Sequence, residues 1–111
     1  GSEFHTFICY KVKSHWEKAG AKVTIGQVIQ LNNNFTKEVD LIISKDKRHA
    51  IEVNIENTQN LIEDVKKLMM AQEPFDSITV VNVFKKNENK VKNALKQFNG
   101  KVQFEDAARY L

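Results

Sequence analysis

Apolar and polar residues change period several times along this chain, and each change marks an element. Across residues 5–19 the apolar positions Ile8, Val12, Trp16 and Ala19 fall on one face of a helix, and Gly20 follows as the residue past its end. Residues 22–31 alternate through Val23, Ile25 and Ile29, a strand pattern in which Gly26 marks a bulge. Asn32-Asn33-Asn34 reads as a turn. Residues 38–44 and 50–56 are rich in β-branched side chains and flank the charged turn Lys45-Asp46-Lys47-Arg48, the pattern of a hairpin. Asn60 with Glu63 has the form of a capping box, opening a helix striped by Ile62, Val65, Leu68 and Met69 and ended by Pro74. Residues 77–84 are almost continuously apolar, as in a strand covered on both faces. Asn87 caps a further amphipathic helix bearing Val91, Ala94, Leu95 and Phe98, which Asn99-Gly100 stops. Residues 101–104 then form a last strand and residues 105–111 a last short helix.

The order is α-β-β-β-α-β-α with a trailing β-α. The helix between the third and fourth strands is a crossover, so those strands are expected to be parallel and the crossover right-handed. The expected fold class is α/β, a mixed central sheet with helices on both faces.

At 111 residues the chain has room for a single core. The opening Gly1-Ser2-Glu3-Phe4 resembles a vector-derived scar, which makes residues 5–111 the domain, one expected to come from a larger parent protein with other domains. Seventeen Lys and Arg face fourteen Asp and Glu, a mildly basic balance compatible with nucleic acid. The one cysteine, Cys9, excludes an internal disulfide, fits a cytoplasmic setting and reads as a small buried hydrophobe. No apolar run approaches the ~20 residues of a membrane span, so no membrane partner is expected.

The candidate chemistry lies in the hairpin. Strand alternation turns Ile51, Val53 and Ile55 one way and Ala50, Glu52, Asn54 and Glu56 the other; it likewise sets Val39, Leu41 and Ile43 against Asp40, Ile42 and Ser44. A tight turn centred on Asp46 places Asp40 directly across from Glu52; a turn one residue later places it across from Asn54, with Glu52 on the diagonal. Either register lets the two carboxylates share a metal ion through oxygen ligands. Carboxylates on an apolar strand are costly unless a cation meets them. The plainer reading is a solvated strand face, which the crossover helices oppose because they cover both faces of a middle strand. Glu38 and Glu56 read as exposed strand ends.

The element order, with Asp40 on the second strand and Glu52-Val53-Asn54 on the third, resembles the PD-(D/E)xK superfamily of restriction-endonuclease-like nucleases, which includes the archaeal Holliday junction resolvases. The resemblance implies metal-dependent phosphodiester hydrolysis of DNA by a homodimer, with Asp40 and Glu52 holding Mg²⁺ (or Mn²⁺). Asn54 stands where the family has lysine; it holds a water but brings no charge. Some members supply that lysine from the following helix, which points to Lys66, with Lys67 as the second choice. Many relatives also carry a first-helix acid, and His5 is the nearest polar group there.

Two basic clusters are candidate DNA contacts: Lys45, Lys47 and Arg48 in the turn, and Lys85, Lys86, Lys90 and Lys92 near the last long helix, which Lys96 extends. A charge run is more often a solvated face. The competing function is a catalytically inactive nuclease-like domain that docks DNA or protein. His15 and His49 lack partners at zinc spacing. The absence of Cys-x-x-Cys and of an acidic cluster after the first strand speaks against thioredoxin- and receiver-like folds.

Overall fold

A computed structural model describes residues 2–55 and 58–111, which leaves Glu56 outside the described residues. Helix α1 (Glu3–Lys18) leads into strands β1 (Lys22–Gln30), β2 (Thr36–Ser44) and β3 (Arg48–Asn54). Helix α2 (Thr58–Met69), strand β4 (Ser77–Asn82), helix α3 (Glu88–Leu95) and strand β5 (Val102–Asp106) follow, and a 3₁₀ turn over Ala107–Tyr110 closes the described chain. The five strands form one sheet in the order β1-β2-β3-β4-β5. The first three run antiparallel, and β3–β4 and β4–β5 are parallel, as the crossovers require.

Two cores lie on opposite faces of the sheet. On one, Leu61, Val65 and Leu68 of α2 and Val91 and Leu95 of α3 pack on Ile42, Ala50, Ile78 and Val80. On the other, Ile8, Cys9 and Val12 of α1, with Ala107 and Tyr110, pack on Leu41, Ile43, Ile51, Val53 and Val81. Val80 and Val81 face opposite cores and are both fully buried, so the polar–apolar alternation of Ser77-Ile78-Thr79 gives way at this step of β4. Full burial of each such side chain is worth roughly 1.5–3 kcal/mol.

Several element ends differ from the sequence expectation. Ser2 caps α1 by accepting from the His5 N–H at 3.0 Å, so the helix starts two residues earlier. Helix α2 begins at Thr58, which puts Asn60 inside its first turn rather than at its cap. Its buried stripe is Leu61, Val65 and Leu68, and Met69 is exposed. Residues 105 and 106 extend β5, and only the residues after them turn.

The largest departure is a change of phase in the β1–β2 hairpin. Its pairing runs without slip from Lys22↔Ser44 to Gln30↔Thr36 but skips Gly26 and Asp40, which would face each other. Before the gap Val23, Ile25, Leu41 and Ile43 point to the α1 core; beyond it Ile29, Leu31 and Val39 point to the α2 core. Strict alternation would keep Val39 with Leu41. Gly26 adopts φ +70°, a left-handed conformation that glycine enters without steric cost, and this lets both strands turn over together.

Candidate functional site

The β2–β3 ladder runs from Ser44↔Arg48 to Leu41↔Ile51 and then stops. Continuing that register sets Asp40 opposite Glu52, the arrangement of the turn centred on Asp46. At this position the side chains take over from the ladder. A Glu52 carboxylate oxygen accepts from the Asp40 backbone N–H at 3.0 Å, and an Asp40 oxygen accepts from the Val53 N–H at 2.9 Å. Both carboxylates are therefore fixed by backbone groups that would otherwise be orphaned between parting strands.

The other Glu52 oxygen meets Lys37. Lys37 Nζ donates to Glu52 Oε1 at 3.0 Å and to the Glu38 carbonyl at 2.9 Å, and lies 3.6 Å from Asp64 Oδ1 on α2. The Lys37 and Glu52 side chains are only 10% and 5% exposed, so this is a buried ion pair. Simple alternation from Asp40 would turn Lys37 toward α1. The reversal at Gly26 and Asp40 turns it to α2 instead and delivers it to the carboxylates.

His5, on α1, places Nε2 at 3.2 Å from Asp40 Oδ2, while its Nδ1 lies 3.8 Å from the Cys9 sulfur. Cys9 is buried, and burial reinforced by the nearby carboxylates pushes its thiol up to about 12, which leaves it protonated and inert. Buried Asn54 donates to Asn82 Oδ1 at 3.0 Å, and Asn82 in turn donates to the Phe84 carbonyl at 3.0 Å. Asn54 thus ties the ends of the parallel strands β3 and β4 together beside the carboxylates.

Burial, then the charge of Asp40, raises Glu52 to about 7, even though Lys37 pulls the other way. Burial also works against the charge on Lys37, but Glu52, Asp64 and Asp40 outweigh it and its pKa lies above the ordinary lysine value. The centre is short of positive charge. Its cleft, about 540 Å³, is lined by the carboxylates of Glu38, Asp40, Glu52 and Asp64 against the ammonium groups of Lys37 and Lys67. An acidic hollow of this kind repels a phosphodiester until a cation enters it.

The structure brings together Asp40, Glu52, Asn54 and His5 from the sequence-predicted set. Lys66 is exposed and outside the cleft lining; its neighbour Lys67 lines it, and Lys37 is the lysine that reaches the carboxylates. On α2, Asn60, Asp64 and Lys67 recur at helical spacing along the edge turned to the cleft. That spacing was readable in the sequence, whereas Lys37 had no such signal.

The basic residues scatter. Lys45 and Lys47 lie at the far end of the hairpin, about 17 Å of extended strand from Asp40. Lys45 donates to the Ala19 carbonyl at 2.7 Å, and Arg48 donates to the Glu73 carbonyl and stacks over Phe75. Lys85 and Lys86 follow β4 and so lie at the site's end of the sheet. Lys90 and Lys92 are on the exposed side of α3, with Lys92 3.7 Å from Glu88. Among the described residues no helix is long and apolar enough to cross a membrane.

No family model and no curated protein matches the chain. Two solved structures do. A protein of unknown function, AF1548, superposes with a TM-score of 0.68 at 15% identity, over 88% of this chain and 55% of its own. Can2 from Sulfobacillus thermosulfidooxidans, solved in complex with cyclic tetra-adenylate, superposes with a TM-score of 0.59 at 14% identity, over 96% of this chain and 32% of its own. The chain thus spans about half of one and a third of the other. At these identities the likeness is one of fold. The fold is α/β and restriction-endonuclease-like.

Proposed function

We propose that the cleft is the centre of a divalent-metal-dependent phosphodiesterase of PD-(D/E)xK type acting on DNA, with Lys37 in place of the lysine missing from Glu52-Val53-Asn54. The observation that carries this is the convergence of Asp40, Glu52 and a buried lysine at one parting of two strands. The donor set fits Mg²⁺ or Mn²⁺. Among the described residues no three His, Cys, Asp or Glu side chains are grouped as a ready-made cage, and Mg²⁺ commonly takes one or two carboxylates and completes its shell with water and phosphate. Burial first and Asp40 second raise Glu52 to about 7, and a divalent ion shared by the two carboxylates would offset both causes.

Asp40 and Glu52 would hold the ion, and its chemistry is to activate a bound water and to offset charge on the scissile phosphate. Lys37, donating to Glu52, orients that carboxylate and presents a positive charge to the attacking water. His5 steadies Asp40 through Nε2. Asn54, engaged with Asn82, is a positioning residue that fixes the end of β3.

The test is cleavage of labelled duplex, single-stranded and branched DNA with Mg²⁺ or Mn²⁺, comparing wild type with Asp40→Ala and Lys37→Met. Metal-dependent cutting lost in both variants is expected. The second reading, a non-catalytic docking domain, is favoured by the extent to which backbone N–H groups already occupy the carboxylates. Salt-sensitive binding without cutting in any metal would establish it and overturn the first.

A further inference from the structure

Beside the acidic cleft lies an aromatic surface that neither core uses. Phe7, Tyr10 and Phe84 are 49%, 57% and 40% exposed, and each ring carries a lysine ammonium over it. Lys11 lies 5.4 Å from the Phe7 centroid, Lys13 5.9 Å from that of Tyr10 and Lys86 5.9 Å from that of Phe84. Phe4, in the stretch that resembles a vector-derived scar, lies against both outer rings, stacked on Phe7 at 6.3 Å and tilted against Phe84 at 6.2 Å, which puts Phe7 and Phe84 on one surface.

The surface is continuous with the site. Helix α1 carries both His5, which touches Asp40, and Phe7 on its exposed side. Phe84 is anchored by its own carbonyl to Asn82, and through Asn82 to Asn54.

We infer that this surface seats single-stranded nucleic acid, with bases stacked on Phe7 and Phe84, phosphates against Lys11 and Lys86, and the strand led toward Asp40 and Glu52. The inference rests on the phosphodiesterase centre proposed above. Exposed rings interleaved with ammonium groups suit an unpaired strand, whose bases offer free π-faces and whose phosphates lie one repeat away. A duplex hides those faces inside its stack. The acidic cleft supplies the complementary half: it repels backbone phosphate in the absence of metal, so affinity has to come from the adjoining surface.

The test is fluorescence anisotropy in EDTA with a labelled oligothymidylate of about 20 nucleotides and a duplex of equal length. The single strand should bind more tightly than the duplex. Phe7→Ala and Phe84→Ala should each weaken it by about 5- to 150-fold, and Lys86→Glu should weaken it and flatten its salt dependence. Both rings are exposed, and circular dichroism melts are to be run on each variant so that only folded ones are compared. No binding, equal binding of duplex, or folded Phe variants that bind like wild type would overturn the inference. Asp40→Ala separates the two proposals. If it abolishes cleavage while the Phe variants bind normally, the stacking surface fails and the nuclease stands. If wild type never cleaves but binds single strands through the two rings, the reverse holds.

Discussion

Glu52→Gln offers the most direct measure of the unbalanced charge in the cleft. The carboxyl of Glu52 titrates near 4.5 when free and is raised to about 7 in the folded protein by burial and by Asp40. A folded-state pKa above the unfolded one means that the native site holds the proton more tightly, so the stabilisation is complete below about pH 4.5 and is lost as the pH rises through about 7. Each pKa unit is worth ~1.4 kcal/mol, so the metal-free protein should lose about 3 kcal/mol from this one group between pH 4.5 and 8. The amide of the variant keeps the shape of the carboxyl and has no proton to lose. Urea unfolding in EDTA at a series of pH values should therefore show wild type falling relative to Glu52→Gln as the pH rises. Saturating Mg²⁺ should restore wild type at pH 8, by about 2.7 kcal/mol at a hundredfold excess over Kd, and leave the variant unmoved. A difference between the two proteins that is flat with pH, or that grows in favour of wild type, would refute the reasoning, because burial and Asp40 would then not dominate Lys37.

Other perturbations test the parts around it. Lys37→Met should abolish metal-dependent cleavage and cost about 3 kcal/mol in urea unfolding at pH 8, the low end for breaking a buried ion pair, because Glu52 can take up a proton instead; Lys66→Ala should change neither cleavage nor stability by more than ~0.5 kcal/mol. Gly26→Ala should cost about 1–2 kcal/mol, since φ +70° is strained for alanine and the new Cβ would lie 2.9 Å from Glu38 Oε1, a contact that the exposed Glu38 side chain can relieve. Asn54→Ala should cost about 1–3 kcal/mol by leaving the buried Asn82 amide short of a partner, read from a thermal melt alongside Asn82→Ala, and the double variant should cost less than the sum.

The sequence by itself determined the order of elements, the parallel β3–β4 pair and the nearness of Asp40 and Glu52 in either of two registers, of which the structure adopts the one that turns about Asp46. These follow from local rules: helical and strand periods, a short charged turn and a crossover helix too long for a hairpin. It also marked Cys9 as buried and β4 as covered on both sides. The tertiary structure alone decided which lysine meets the carboxylates. Strand alternation is a local rule that holds only while the backbone keeps its pleat, and Gly26 breaks it together with Asp40, across a pairing that no single strand encodes. Lys37 and Val39 thereby change faces, and a residue that alternation assigns to α1 becomes the partner of Glu52. Lys66 lies off the cleft for the complementary reason: on α2 the edge turned to the cleft is set by how Leu61, Val65 and Leu68 seat on the sheet, and that seating selects Asp64 and Lys67. The scatter of the basic residues is likewise a matter of three dimensions, because β2 and β3 carry the turn lysines to the opposite end of the sheet from the carboxylates between them.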